Sequence, residues 1–207
     1  AEYAKKGRVT NFVRTCIEIL SSLPSVVVGL FGYLIFVVQF EYGFSIISGA
    51  LALTVFNLPQ MTRNVEDSLK HVHHTQREAG LALGLSRWET VLHVVIPEAI
   101  PGIVTGIVLS AGRIFGEAAA LIFTAGQSAP ALDWSNWNVL SVSSPISIFR
   151  QAETLAVHIW KVNSEGTIPD GTLVSAGSAA VLLIVILIFN FGARKLGSYL
   201  HKKLTAT

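Results

Sequence analysis

The sequence predicts an all-α membrane protein that crosses a bilayer four times. Three observations carry that prediction. Of the 207 residues, 51% are hydrophobic and only 14% are charged, where soluble chains carry about a quarter. The charges are also clustered, so that Ile19 to Phe40, Tyr42 to Thr62 and Gly171 to Ala193 contain none. Finally, basic residues concentrate in alternate connections. Each uncharged run is about 20 residues or slightly longer, and a helix of that length covers roughly 30 Å, the thickness of a bilayer's hydrocarbon. A soluble chain could bury one such helix, but a chain of this length cannot bury three and still cover itself with polar surface. Residues 99–125 form a fourth span, uncharged except for Arg113 and Glu117. The four spans are thus 19–40, 42–62, 99–125 and 171–193.

The connections set an orientation. Lys5, Lys6, Arg8 and Arg14 precede the first span, Arg63, Lys70, Arg77 and Arg87 lie between the second and third, and Arg194, Lys195, Lys202 and Lys203 follow the fourth. The remaining connections are poor in basic residues, with only Arg150 and Lys161 in residues 126–170. Basic loops stay cytoplasmic, which predicts that both ends and residues 63–97 lie inside and residues 126–170 outside. The net charge of +2 says little beside that distribution. Cys16 is alone, so there is no disulfide framework. The chain starts "AEYAKKGR", without initiator Met or secretory signal, and reads as a piece of a longer or processed protein.

Residues 63–97 are too patterned for a linker. Val65, Leu69 and Val72 recur at helical spacing, and Leu81, Leu83, Leu85, Trp88, Val91 and Leu92 form a second apolar set interrupted by Gly84. The pattern predicts two short amphipathic helices joined at Gly84-Leu85-Ser86, with Ser86 and Glu89 as a capping box. Pro97 and Pro101 mark the start of the next helix, where proline costs least. Such helices either rest on lipid or dock a cytoplasmic partner. His71, His73 and His74 lack metal-ligand spacing and read as solvated loop histidines. No Gly-x-x-x-x-Gly-Lys is present, so the chain is not expected to hydrolyse ATP, and no His-Glu-x-x-His or ordered Ser-His-Asp set supports a membrane hydrolase.

Within this loop Glu78-Ala79-Gly80, Gly84 and Val94-Val95-Ile96-Pro97 match the spacing of the EAA loop of bacterial ABC-importer permeases, with Gly80, Val94 and Ile96 in place of Ala, Ile and Leu. Together with "LPSVVVGLFGYLIF", "SAGRIFGE" and "FTAG", the chain resembles the phosphate-specific permease subunits of that family, the PstA type. The resemblance implies a type I ABC-importer (MetI-like) helical bundle, six spans in the family of which the last four are present here, and a coupling helix seated on an ATPase subunit. Glu78, Ala79, Gly80, Gly84 and Pro97 would form that coupling loop, with Gly80 and Gly84 letting the two backbones approach. Implied partners are two PstB-like ATPase subunits, a PstC-like second permease and an external PstS-like phosphate-binding protein. ATP and Mg are expected on the ATPase, with no cofactor in this chain. Alternatives are a permease for another oxyanion or small solute, or a non-transporting membrane scaffold.

On a continuous helix from 102 to 124, Gly102, Gly106, Arg113, Gly116, Glu117, Ala120 and Thr124 share one side, opposite Ile103, Ile107, Ile114 and Phe115. A charge at the membrane centre costs about 2.5–3.5 kcal/mol and usually lines a bundle interior or water path. The i,i+4 spacing would let Arg113 and Glu117 neutralise each other. Arginine suits phosphate because its planar fork reaches two oxygens, and the glycines make room at a helix crossing or for a passing ion. The pair serves either helix packing or transport. The resemblance implies transport, since Arg113, Gly116 and Glu117 match the family's Arg-x-x-Gly-Glu segment, although Ala118 replaces the family's usual Thr. Arg113, Gly116, Glu117 and Thr124 are the expected substrate-path residues. Trp134, Trp137, Tyr33, Trp160 and Tyr199 read as interfacial anchors.

Overall fold

The computed structural model describes residues 7–166 and 169–205, and the basic Lys5 and Lys6 lie outside them. Those residues form helices only: α1 (Arg8–Ser22), α2 (Ser25–Gly32, continued by π-turns over Tyr33–Gln39), α3 (Ile46–His71), α4 (His74–Ala82), α5 (Arg87–Thr90), α6 (Ile96–Phe115), α7 (Ala119–Ile122), α8 (Leu155–Glu165) and α9 (Gly171–Thr205). They fall into two compact units. One comprises the chain up to Ser21, Leu58–Gly112 and the chain from Leu187. The other comprises Ser22–Asn57 and Arg113–Ile186.

Some expected boundaries move. The run 19–40 is broken at Leu23–Pro24, because proline cannot continue α1 and instead stands just before α2. Val65 and Leu69 belong to the end of α3 rather than to a separate loop helix. Pro97 and Pro101 do not start a helix: the helical run begins at Arg87 and passes through both. The widened π-turn at Val91–Val95 directly precedes Pro97, where it gives room to a ring that would otherwise meet the carbonyl one turn earlier. At the other end, the expected span 99–125 stops at Phe115. By length and composition two helical runs, Arg87–Phe115 and Gly171–Lys203, can cross a membrane, or up to three if α1 and Ser25–Gln39 count as one broken span. The 26-residue α3 is long enough but is not among them, since Asn57, Pro59, Gln60 and Arg63 dilute its apolar half.

In the first unit, Val72, Val95 and Ala99 form a core joined by Leu69 and Ile103. The glycine face of α6 is used here for helix crossing: a Cβ at Gly102 would lie 2.8 Å from Ser68 Oγ, and one at Gly106 2.8 Å from Asn64 Cβ. α1 is tied to α3 by Arg14–Glu66 and Arg63–Glu18 ion pairs, with Lys70 on the same Glu66 carboxylate at 2.7 Å.

The second unit packs α2 on α7 so closely that a Cβ at Gly29 would stand 2.8 Å from Ala120 Cα. Leu121, Ala125 and Val157 form its core with Leu53, Ala118 and Ile122. The N-terminus of α3 is bonded by distant carbonyls: Ser45 N donates to Thr124 O, Ile46 N to Arg150 O and Ile47 N to Ile148 O, at 3.1, 2.9 and 2.9 Å. These bonds satisfy donors that a helix start leaves free, and they fix the segment around residue 149. Tyr33, Phe36, Phe40, Tyr42, Phe44 and Phe149 stand in ring contacts of 5.8–6.1 Å beside it.

The hydrogen bond from Lys70 comes first in holding the Glu66 carboxyl below its ordinary value of 4.5, with the Lys70 and Arg14 charges adding to it. A depressed carboxylate stabilises the folded state fully above that ordinary value and loses the contribution as pH falls through the lowered one. Glu66→Gln is therefore expected to cost about 0.5–1 kcal/mol at neutral pH and progressively less as the pH falls below the ordinary carboxylate range. Thermal unfolding of the two proteins in detergent across that range is the measurement, and parallel curves would remove the network from the account.

Candidate functional site

Two sites emerge, one in each unit. The first is the segment from α4 to α5. The helix–break–helix reading at Gly84-Leu85-Ser86 is met. α4 ends in a Schellman motif, with Leu85 N donating to Gly80 O at 3.2 Å and Gly84 N to Leu81 O at 3.0 Å. Gly84 has φ +86°, which a side chain adopts only with strain. Ser86 then starts α5 through the expected capping box: its Oγ accepts from Glu89 N at 3.3 Å and its N–H donates to Glu89 Oε2 at 2.8 Å.

The glycines serve this chain's own turn. Gly80 is buried under Thr90, whose Cγ2 would lie 2.9 Å from a Cβ there, while Gly84 has no neighbour in that space and is required by φ alone. Glu78 and Ala79 are exposed, and Glu78 holds His74 Nδ1 at 3.1 Å. Leu81, Leu83 and Trp88 are also exposed, at 46, 83 and 60%. A groove of about 230 Å³ lined by Arg77, Glu78, Leu81, Arg87 and Thr90 runs between them. Apolar side chains rimmed by charge are the makeup of a docking surface. Pro97 lies further along the helical run, at the second position of α6.

The second site is the turn after α6. Gly116 N donates to Arg113 O and Glu117 N to Ile114 O, at 3.2 and 3.1 Å, and the α-helix ends. The i,i+4 ion pair expected between Arg113 and Glu117 does not form, because the helix that would align them stops between them. Each charge meets a helix end instead. Arg113 lies in the last turn of α6, near carbonyls without helical partners, and its Cζ stands 4.3 Å from the Phe56 ring centroid. Glu117 Oε1 accepts from Ala120 N at 3.2 Å, capping α7 where Ala118 has no oxygen to do so. Cation–π and helix-end terms together supply about 1–3 kcal/mol.

Arg113 and Gly116 are exposed and Glu117 half-buried. A Cβ at Gly116 would meet only Arg113 O, at 3.8 Å, so that position is open. Thr124 is elsewhere in character: it is fully buried, its Oγ1 donates to Ala120 O at 2.8 Å, and its methyl fills the space above Gly32. A cavity of about 650 Å³ along Asn64, Ser68, Gly102 and Thr105 carries Asp67 and Glu98 beside His71 and His73, with no Arg or Lys in its lining. Sequence reasoning missed Phe56 and the Glu117 cap. Both depend on the break between Phe115 and Ala119, which a continuous helical wheel does not show.

Gly84→Ala is expected to cost about 1–2 kcal/mol, the penalty of a left-handed residue with a side chain, and Gly80→Val about 1–3 kcal/mol through the clash with Thr90. Gly177→Ala, in a helix with open space around it, should cost nothing. Faster amide exchange over residues 80–90 in the first two variants only is the readout.

Comparison with known proteins gives these sites a setting. The chain is 58% identical over 206 residues to the probable ABC transporter permease protein YqgI of Bacillus subtilis (strain 168), covering 100% of this chain and 70% of that one. It is 34% identical over 196 residues to the phosphate transport system permease protein PstA of Xylella fastidiosa (strain 9a5c), covering 95% of this chain and 63% of the other. The chain therefore spans roughly two thirds of the length of these relatives. Among solved structures, one described as inward facing conformations of the MetNI methionine ABC transporter matches with a TM-score of 0.69 at 18% identity, over 93% of this chain and 76% of that one. That likeness is one of fold, and it meets the MetI-like bundle expected from the sequence. Residues 1–205 match the family described as binding-protein-dependent transport system inner membrane component, and the chain belongs to that family of ABC-importer permeases.

Proposed function

We propose that this chain is the permease subunit of an ATP-driven importer of inorganic phosphate, with the turn Arg113–Glu117 on the translocation path. The observation that carries this reading is an arginine at the end of a membrane helix, exposed and, among the described residues, not neutralised by a carboxylate. The names of relatives near 34% identity support phosphate as the cargo. Arg113 offers charge and a planar fork to an oxyanion in transit. Gly116 leaves the turn open, Glu117 holds it by capping α7, and Thr124 anchors it in the core. A path must release its ion as readily as it takes it, so a single arginine at an open turn suits passage better than a closed pocket would.

In this reading the loop 63–97 and both ends are cytoplasmic and residues 126–170 are external. Glu78, Ala79 and the exposed Leu81, Leu83 and Trp88 dock a PstB-like ATPase, which binds ATP and Mg. A PstC-like permease completes the path, and a PstS-like protein delivers phosphate from outside. A scaffold would have the docking face without a charged turn in the membrane.

Arg113→Gln is expected to lower phosphate uptake in vesicles at least tenfold at equal assembly, a loss of about 1.4 kcal/mol or more. Glu117→Gln should be mild, since an amide oxygen still caps Ala120, and Glu117→Leu more damaging. Because the two residues do not pair, the double change to leucine should be as inactive as Arg113→Leu alone. A fully active double variant would end the role of this turn in transport.

Orientation and docking are tested together in a Cys16→Ala background. Cysteine replacing Asn136 should react with an impermeant thiol reagent on intact cells. Cysteine replacing Leu83 should react only in inside-out vesicles, and less once the ATPase subunit is bound. Labelling of the Leu83 position from outside would reverse the topology, and labelling unchanged by the ATPase would remove the docking face.

A further inference from the structure

Phe56 lies on α3 and is 2% exposed, yet one face of its ring is occupied by the Arg113 guanidinium, with Cζ 4.3 Å from the centroid. A carboxylate facing an arginine takes two of its five donors and cancels its charge. An aromatic face does neither. It attracts the cation through the negative centre of the ring, and it offers no oxygen lone pair to the fork. Among the described residues no oxygen accepts a hydrogen bond from the Arg113 side chain, and the nearby carboxylate of Glu117 is turned to Ala120 N. The ring thus steadies a cation while leaving its charge and its donors available to an arriving ligand.

We propose that Phe56 is a positioning residue for oxyanion passage: it holds the Arg113 guanidinium at the turn by cation–π attraction, in place of the anionic partner that would compete with phosphate. This rests on the reading of Arg113 as the oxyanion contact. A carboxylate partner would have to be displaced at each passage, and a bound oxyanion would face its repulsion. The ring imposes no such competition, and its attraction for the cation is weak enough for the side chain to follow the ligand. Phe56 does not touch the ligand itself and acts through Arg113.

A buried phenylalanine also packs, so the test must alter the ring's electrostatics at constant shape. The para-fluoro, difluoro and trifluoro analogues of phenylalanine, introduced at position 56 in the full transport complex, weaken the negative face stepwise. Uptake of radiolabelled inorganic phosphate, normalised to assembled complex, is expected to fall stepwise to about tenfold below the parent. Phe56→Tyr should stay within about twofold, since it keeps the ring face. The same fluorinated series in an Arg113→Gln background should be flat. Phe56→Leu should match the trifluoro protein, and if it does not assemble the fluorinated series decides by itself. Uptake indifferent to fluorination, with Arg113→Gln inactive, would reduce Phe56 to packing and leave the oxyanion reading standing. Full activity of Arg113→Gln would overturn that reading and this inference with it.

Discussion

A polar group inside a bilayer has no water to turn to, so it must find its partner within the protein. That constraint governs the helices of this chain. Along α3 the side chains of Thr54, Asn57, Thr62 and Ser68 each donate to the carbonyl one turn earlier, at 2.7–2.9 Å. Thr105 and Thr124 do the same on Pro101 and Ala120, both at 2.8 Å. These side-chain donors are thus absorbed by the helix that carries them.

The same constraint decides where helices can break. Each end leaves backbone donors or acceptors to be satisfied, and the breaks in this chain come with a supply of partners. At Gly84 the Schellman bonds take up the last carbonyls of α4, and Ser86 and Glu89 cap the start of α5. At Gly116 the Glu117 carboxylate reaches the first turn of α7. At the start of α3 carbonyls from residues 124, 148 and 150 accept the free N–H groups, which ties a segment without regular structure to a helix. Breaks placed this way also expose groups that a continuous helix hides.

At the turn after α6 the charges follow the helix ends rather than one another. Arg113 lies by the carbonyl end of α6, and Glu117 by the amide end of α7. The dipole terms that stabilise them there separate two residues whose spacing suggests a pair. The separation has a chemical consequence: an arginine balanced by a ring face and a helix end is not neutralised by the carboxylate four residues on. At three of the glycines close packing replaces open space. Gly102 and Gly106 let α6 cross α3, and Gly80 lets α4 lie under Thr90.

The sequence by itself determined the helical class, the membrane setting, the family and the turn from α4 to α5. These rest on local and additive signals: hydropathy summed over a span, a capping box four residues long, a left-handed glycine, an EAA spacing. It misplaced the end of α6 because a helical wheel assumes continuity, and neither Gly116 nor Ala118 announces a break by type alone. It also paired Arg113 with Glu117 on sequence spacing, whereas the partners found, Phe56 and Ala120 N, come from another helix and from the next turn. Only the tertiary structure decided those contacts. Which ring, carbonyl or amide reaches a charge depends on how distant segments pack, and that is a property of the folded chain rather than of any stretch of it.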